Sequence, residues 1–144
     1  MNLAYVVSWV SRNAGGVLCS VSGLAKAVAD MDKVQVRVFG SRDEFSDEDG
    51  HHWHPVEVHT AAVIGPARLC YMPRMRRMIE AFSPDFIHDT AVWTYTAAVV
   101  NQVHARKGIP YLLSLHGSLD PWALRRSAWK KAIVLRLYQQ QHFD

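Results

Sequence analysis

The sequence predicts an α/β fold in which a doubly wound, mostly parallel sheet carries helices on both faces. Two observations support this prediction. Short and nearly uninterrupted apolar runs, such as Leu3–Val7 and Tyr111–Leu115, are typical of parallel strands that are covered on both faces. Longer segments with helical spacing separate these runs, and such alternation is the pattern of doubly wound domains. We expect residues 1–144 to form one domain of this kind.

The first forty residues predict a strand, a glycine-containing loop, a helix and a second strand. The apolar run at the N-terminus is followed by Gly15 and Gly16. Apolar residues then recur at helical spacing through Val17–Asp30, and Val34–Phe39 alternates as a strand does. This order is that of a βαβ unit, for which a right-handed crossover is expected.

The middle of the chain predicts a loop, an edge strand and a helix. Ser41–Gly50 is acidic and rich in turn residues, so we expect a solvated loop there. His52–Val58 has the composition of a weak strand, and Pro55 places it at an edge of the sheet because proline cannot donate to a strand ladder. Pro66–Phe82 has helical spacing.

The last part of the chain predicts two further strands and two helices. Phe86–His88 is a very short strand, Trp93–Lys107 is a helix ended by Gly108, and Tyr111–Leu115 is a buried strand. A turn with Asp120 as N-cap leads into a final helix that reaches about Gln141 without a C-cap. We therefore expect that the chain is part of a longer protein.

Composition places the chain among globular proteins. Of its 144 residues 49% are hydrophobic and 20% are charged, with a formal net charge of +3. The sequence shows no secretory signal and no apolar run of membrane-spanning length. Cys19 and Cys70 match no metal-binding or redox spacing, so we expect reduced thiols and a cytoplasmic location.

Glycines and histidines at predicted loop positions are the first candidate site residues. Gly15 and Gly16 precede a helix, whose N-terminus offers free N–H groups to a phosphate; the alternative is a tight turn without a ligand. His88 with Asp89, and also His116, follow predicted strands at the edge where ligands of such sheets bind. Imidazole can donate and accept hydrogen bonds to sugar hydroxyls or phosphate, although a purely structural cap is the alternative.

Four further histidines raise the question of a metal site. His51, His52, His54 and His59 surround the acidic loop and the edge strand. No cysteine or regularly spaced histidine completes a tetrahedral set, so we expect solvated surface histidines and no metal.

The final predicted helix is basic and amphipathic. Trp122 and Trp129 lie on one stripe with aliphatic residues, and the cations around the stripe include Arg125, Arg126, Lys130 and Lys131. Such a helix can lie on an anionic membrane surface. The alternative is a helix that packs on the sheet and exposes a basic face. Nucleic acid is not expected as a partner, since no binding module pattern accompanies the charge.

Three segments of the sequence resemble one enzyme family. Asn13–Val17 is similar to its Gly-Gly loop, Pro84–His88 to its strand ending in histidine, and Tyr111–Trp122 to a turn that precedes a basic helix. The family is glycosyltransferase family 4, the retaining group 1 transferases of GT-B fold, and the resemblance is to the N-terminal, acceptor-side domain. The third segment resembles an exopolysaccharide and lipopolysaccharide subgroup, with Ser118 where methionine is usual.

The resemblance implies a Rossmann-like domain and a role for each candidate residue. His116 would act beside the donor sugar as the catalytic residue, and Gly15 and Gly16 would approach the donor diphosphate. Acceptor binding would fall to His88, Asp89 and Arg12, and peripheral contact with the inner membrane face to Arg125, Arg126, Lys130 and Lys131. The donor is implied to be a nucleotide sugar, with a glycan or lipid-linked acceptor, no cofactor and no metal.

The resemblance also implies what the activity needs besides this domain. In the family, a second, C-terminal domain mainly holds the nucleotide sugar and supplies the cations that neutralise the leaving diphosphate, and such charge stabilisation is usually a large part of catalysis. We therefore expect residues 1–144 alone to be inactive. Two alternatives stay open, a non-catalytic binding module derived from such a domain and a fragment of a Rossmann-type oxidoreductase.

Overall fold

A computed structural model describes residues 1–116, in which five parallel strands form one sheet. The strands are β1 (Asn2–Trp9), β2 (Gln35–Arg42), β3 (Glu57–Ala62), β4 (Phe86–Asp89) and β5 (Tyr111–Leu113). The α-helices are α1 (Gly16–Ala29), α2 (Ser46–Asp49), α3 (Met75–Phe82) and α4 (Tyr95–Lys107). The spatial order of the strands is β3-β2-β1-β4-β5. The predicted fold class is confirmed.

Side chains of β1 enter two hydrophobic cores, one on each face of the sheet. Ala4 and Val6 pack with Ile79 of α3 and Val100 of α4. Leu3, Tyr5 and Val7 point to the opposite face, in a core that also contains Leu18 and Val21 of α1. The burial of both faces explains why β1 reads as a continuous apolar run instead of an alternating one.

The predicted helix Pro66–Phe82 is wrong in its first half. A short 3₁₀ turn covers Ala67–Leu69, Cys70 has a left-handed backbone with φ of 49°, and α3 begins only at Met75. Pro73 contributes to the break, because the residue before a proline disfavours helical geometry. The irregular backbone carries the side chains of Cys70 and Met72 into the core, where both are fully buried.

The predicted solvated loop Ser41–Gly50 is wrong in its backbone conformation and only partly solvated, with Glu44, Asp47 and Glu48 exposed. Its first two residues extend β2, and α2 follows. Ser41, Ser46 and Asp49 are buried. Asp49 is hydrogen-bonded to Arg12, Ser41 to the carbonyl oxygen of Ser8, and Ser46 to Asp43. The sequence pattern contains no sign of these contacts.

The third strand lies at the edge, as predicted, but begins at Glu57 instead of His52. Residues Gly50–His52 form a 3₁₀ turn, and Trp53 is fully buried. The indole N–H of Trp53 donates to the carbonyl oxygen of Val10 at 2.7 Å. This long-range contact anchors the segment in a non-strand conformation.

The fifth strand is shorter and more exposed than predicted. It covers only Tyr111–Leu113 and forms the other edge of the described sheet, where Leu112 is 52% exposed. The predicted turn after His116 and the basic helix, including Trp122 and Trp129, lie outside the described residues.

Candidate functional site

The order of the strands reverses between β1 and β4, which makes the gap between their carboxyl ends a topological switch point. Ligands of open α/β sheets bind at such points. A cavity of about 140 Å³ lies there. Its lining comes from the end of β1, the following turn with the start of α1, and the residues after β4, namely Val7, Ser8, Trp9, Asn13, Ala14, Val17, Thr90, Ala91 and Val92. This cavity is the candidate functional site.

Gly15 and Gly16 form the start of α1 beside the cavity. Gly15 is the N-cap, with φ of 59° and ψ of −136°, a conformation that is strongly disfavoured for residues other than glycine. No side chain caps this helix end, so the first N–H groups of α1 stay available to a ligand. A Cβ atom on Gly16 would meet nothing within 4 Å, and the space outside it is therefore open. An uncapped helix start next to a cavity suits an anionic ligand.

One carboxylate holds the turn between β1 and α1. Asp43, just after β2, accepts hydrogen bonds through Oδ2 from Ser11 Oγ at 2.5 Å and Asn13 Nδ2 at 2.9 Å. Its Oδ1 accepts from Ser46 Oγ at 2.9 Å and from the N–H of Phe45 at 3.0 Å. Burial alone would raise the pKa of Asp43, but these hydrogen bonds outweigh it and the pKa is lowered.

A second carboxylate holds Arg12. Asp49 Oδ2 accepts from the backbone N–H of Arg12 at 2.7 Å, and Asp49 Oδ1 lies 2.6 Å from the guanidinium Nη2. Glu48 adds a contact of 2.9 Å, and the guanidinium lies over the ring of Phe45. The hydrogen bonds from Arg12 lower the pKa of Asp49 to about 2. Arg12 thus fixes the turn from outside the cavity, and its contact with an acceptor stays a prediction.

His88 and Asp89 are the last two residues of β4, which is one residue longer than the predicted strand Phe86–His88. The buried His88 ring is 4.9 Å from the ring of Tyr5, and its Nε2 is 2.6 Å from Ser114 Oγ. Burial lowers the pKa of His88, and the neighbouring His116 lowers it further. Asp89 is fully buried and its Oδ1 accepts the N–H of Ala91 at 2.9 Å, so it shapes the loop that lines the cavity.

His116 is exposed and follows β5 with a left-handed φ of 43°. The strand order puts it beyond the end of β5, the strand next to β4, and His116 helps to lower the pKa of His88. The structure therefore gathers Gly15, Gly16 and Asp89 around the switch point. His88 precedes Asp89 in β4, and His116 follows β5, one strand further out.

Several polar residues of the site were not singled out from the sequence. Ser8 and Thr90 line the cavity, and the Oγ atom of Ser8 is 3.1 Å from Thr94 Oγ1. Thr90 donates to the carbonyl oxygen of Val6 at 3.1 Å. Ser8 directly follows the apolar run Leu3–Val7 of β1, and Thr90 directly follows β4. These positions are the signal that could have found them. Asp43 and Asp49 had no such signal, because their partners lie more than 25 residues away in sequence.

The four histidines near β3 are not assembled into a metal centre. The rings of His51 and His52 lie 4.1 Å apart, and His59 Nε2 is 2.8 Å from Glu57 Oε1. Among residues 1–116, no group of three or more His, Cys, Asp or Glu side chains could hold a metal ion. Within the same residues, no helix is both long and apolar enough to cross a membrane.

Residues 15–143 match the family described as glycosyl transferase 4-like domain. The chain belongs to this family. The match includes the Gly15–Gly16 helix start, the loop after β4 and His116, whereas β1 and the turn before Gly15 lie outside it. The match shows a glycosyltransferase-type N-terminal domain, as the resemblance found in the sequence implied.

One solved structure gives an independent view of the fold. The chain is similar to UDP-GlcNAc 2-epimerase from Neisseria meningitidis, solved with UDP-GlcNAc bound, at 10% sequence identity and a TM-score of 0.55. The similarity covers 93% of this chain and 39% of the epimerase chain. At this identity it shows the fold alone. No curated protein matches the chain.

Proposed function

We propose that this glycosyl transferase 4-like domain is the acceptor-side half of a retaining glycosyltransferase. The enzyme transfers a sugar from a nucleotide-sugar donor to a glycan or lipid-linked acceptor in the synthesis of a cell-surface polysaccharide. One structural observation carries the proposal: a cavity at the switch point adjoins a helix N-terminus that no side chain caps. This arrangement suits the diphosphate of an activated sugar.

The proposal gives each part of the site a role. The diphosphate lies against Gly15 and accepts from the N–H group of Gly16, because the N–H of Gly15 already donates to the carbonyl oxygen of Arg12 at 2.9 Å. His116 lies beside the donor sugar. The acceptor is bound on the side of His88, Asp89 and Arg12. The chain needs no cofactor or metal of its own, works in the cytoplasm and meets lipid-linked acceptors at the inner membrane face.

The contacts of Asp43 speak against the oxidoreductase alternative. In dinucleotide-binding folds an acidic residue near the end of the second strand binds the ribose hydroxyls. Asp43 has this position, yet both of its carboxylate oxygens accept hydrogen bonds from the protein. A nicotinamide dinucleotide would have to displace them.

Calorimetric titration tests the proposal with probes that separate the alternatives. The 144-residue chain is titrated with UDP, GDP and ADP, with the corresponding nucleotide sugars, and with NAD⁺. We expect binding of one nucleoside diphosphate and its sugar. Binding is the readout and turnover is not, because the family resemblance places the cations for the leaving group in a second domain.

Gly16→Ala gives the sharpest variant, with Gly23→Ala as its control in the same helix. Neither added methyl group meets an atom within 4 Å, so both variants are expected to fold. Only Gly16 adjoins the cavity, and its methyl group would hold the diphosphate away from the helix N-terminus. We expect about tenfold weaker binding for Gly16→Ala, which corresponds to about 1.4 kcal/mol, and unchanged binding for Gly23→Ala.

Three results would contradict the proposal. NAD⁺ binding without nucleoside diphosphate binding would favour the oxidoreductase alternative. An absence of nucleoside diphosphate binding would show that the start of α1 does not hold the diphosphate by itself. Equal affinities of Gly16→Ala and the wild type would place the diphosphate elsewhere.

A further inference from the structure

The chain that leads from β3 into the first turn of α3 is unusually basic. Residues 64–77, called the β3–α3 segment below, contain four arginines and no acidic residue. The remaining residues of 1–116 contain seven Lys and Arg against eleven Asp and Glu. A concentrated positive patch therefore lies on a part of the protein that is otherwise acidic, and the modest net charge of the chain conceals it.

Three of the four arginines of this segment differ from the other arginines of residues 1–116 in having no carboxylate partner. Five arginines within residues 1–116 form ion pairs with Asp or Glu, namely Arg12, Arg37, Arg42, Arg76 and Arg106. The other three arginines of residues 1–116 form no ion pair with a carboxylate, and they are Arg68, Arg74 and Arg77. All three are exposed and lie in the β3–α3 segment. Arg74 and Arg77 line an open cleft of about 490 Å³ with Pro73, Arg76, Met78 and Ala81.

Large apolar side chains are exposed in the same segment. Ile64 is 58% exposed, Leu69 45% and Tyr71 40%. Only seven large hydrophobic residues of the described chain are exposed, and these three lie within eight consecutive positions. The N–H of Ile64 donates to the carbonyl oxygen of Tyr71 at 2.9 Å, and this hydrogen bond closes residues 64–71 into a loop.

The β3–α3 segment adjoins the candidate site. The thiol of Cys70 donates to the carbonyl oxygen of Ser8 at 3.7 Å, and Ser8 lines the switch-point cavity. The ring of Tyr71 meets the ring of Tyr95, the first residue of α4, edge-on at 4.7 Å. A surface that binds this segment would therefore lie beside the cavity.

We propose that the β3–α3 segment docks the protein on an anionic phospholipid bilayer. Unpaired arginines interspersed with exposed aliphatic and aromatic side chains match the headgroup region, where phosphates lie next to acyl chains. An acidic polymer would satisfy the arginines alone and leave Ile64 and Leu69 in water. The inference extends the proposed function, because docking would hold the cavity next to membrane-bound acceptors.

Vesicle co-sedimentation tests the inference without donor or acceptor, so its outcome is independent of sugar transfer. The full 144-residue chain is mixed at low salt with vesicles of phosphatidylcholine alone or with equimolar phosphatidylglycerol. We expect binding to the anionic vesicles only. The triple variant Arg68→Gln, Arg74→Gln and Arg77→Gln should bind roughly a hundredfold more weakly, and Ile64→Ser with Leu69→Ser should also weaken binding.

The chain offers a matched control for each variant. Lys26→Gln, Lys33→Gln and Lys107→Gln remove the same charge elsewhere, and Leu24→Ser with Met31→Ser remove exposed apolar side chains outside the segment. Both controls should bind as the wild type does, and circular dichroism shows whether all variants are folded. A fifth variant, with Arg125, Arg126, Lys130 and Lys131 changed to Gln, examines the basic helix predicted from the sequence.

Three outcomes would overturn the inference. Equal losses in the arginine variant and the lysine control would show attraction by overall charge. Binding lost only in the 125–131 variant would assign the contact to the C-terminal helix. Binding to heparin without binding to anionic vesicles would identify an acidic polymer as the partner.

Discussion

At the scale of single residues, His88 is a buried imidazole whose neighbours disfavour its charged form. Burial and the nearby His116 lower its pKa below the ordinary value of 6.5. The unfolded chain therefore binds a proton more readily than the folded chain does. It follows that the contribution of His88 to stability is complete above about pH 6.5 and falls as the pH drops below that value.

The variant His88→Gln should reduce this pH dependence. Glutamine can keep a hydrogen bond to Ser114 but takes up no proton. We expect the free energy of unfolding, measured by urea denaturation, to vary less between about pH 7 and pH 5 than in the wild type. His104→Gln, at an exposed position of α4, is the control and should keep the wild-type profile. A His88→Gln profile parallel to that of the wild type would contradict the assignment.

Gly40 is the second residue with a defined energetic role. A Cβ atom there would lie 2.7 Å from Val10 Cγ1, 2.7 Å from Val7 Cγ2 and 3.1 Å from the carbonyl oxygen of Val7. The chain after β1 passes this close to β2 only because Gly40 has no side chain.

Gly40→Ala should destabilise the fold by roughly 1–3 kcal/mol, the usual range for overpacking. The measurement is the urea midpoint at constant m-value. Gly50→Ala, whose added methyl group meets no atom within 4 Å, is the control and should unfold close to the wild type. A Gly40→Ala midpoint as high as that of Gly50→Ala would show that the chain after β1 can move aside.

At the scale of elements, the four-residue helix α2 holds the turn that precedes α1. Asp49 binds both the backbone and the guanidinium of Arg12, and its pKa falls to about 2 from the ordinary 3.8. The stabilisation is therefore present above about pH 3.8 and is lost as the pH falls through 2. The acidic segment after β2 thus fixes the loop at the candidate site.

Asp49→Asn should lower the thermal midpoint and weaken nucleotide binding, because the turn that carries Asn13 and Gly15 loses its anchor. Asp47→Asn is a matched control in the same helix. Asp47 pairs with Arg42 at 2.7 Å, but its side chain is 82% exposed, and exposed pairs contribute little. Equal effects of the two substitutions would mean that α2 acts by net charge and not through the contact with Arg12.

At the scale of the whole molecule, the sheet order predicts where the fold opens. β1 is hydrogen-bonded on both sides, by β2 and β4, and its side chains lie in both cores. We expect the amides of residues 3–7 to exchange with solvent only by global unfolding, and those of residues 65–69 to exchange by local opening. Hydrogen exchange with mass spectrometry measures both. Similar protection in the two regions would contradict this prediction.

Features that depend on neighbouring residues along the chain could be predicted from the sequence. The apolar run of β1, the helical spacing of α1 and α4, and the end of α4 at Gly108, with φ of 68°, were readable because their causes lie within one element. The glycines at the start of α1 were found for the same reason. Together these elements predicted a doubly wound sheet and the edge at which its ligands bind.

The residues that meet across that edge could be identified only from the folded arrangement of distant segments. Asp43 and Asp49 reach Ser11 and Arg12 across more than 30 residues, and Trp53 reaches Val10 across 43. Because of these contacts, part of the predicted solvated loop is buried and holds the turn at the candidate site in place. The stabilisation comes from hydrogen bonds between buried polar groups of distant segments, and no local periodicity of the sequence indicates such bonds.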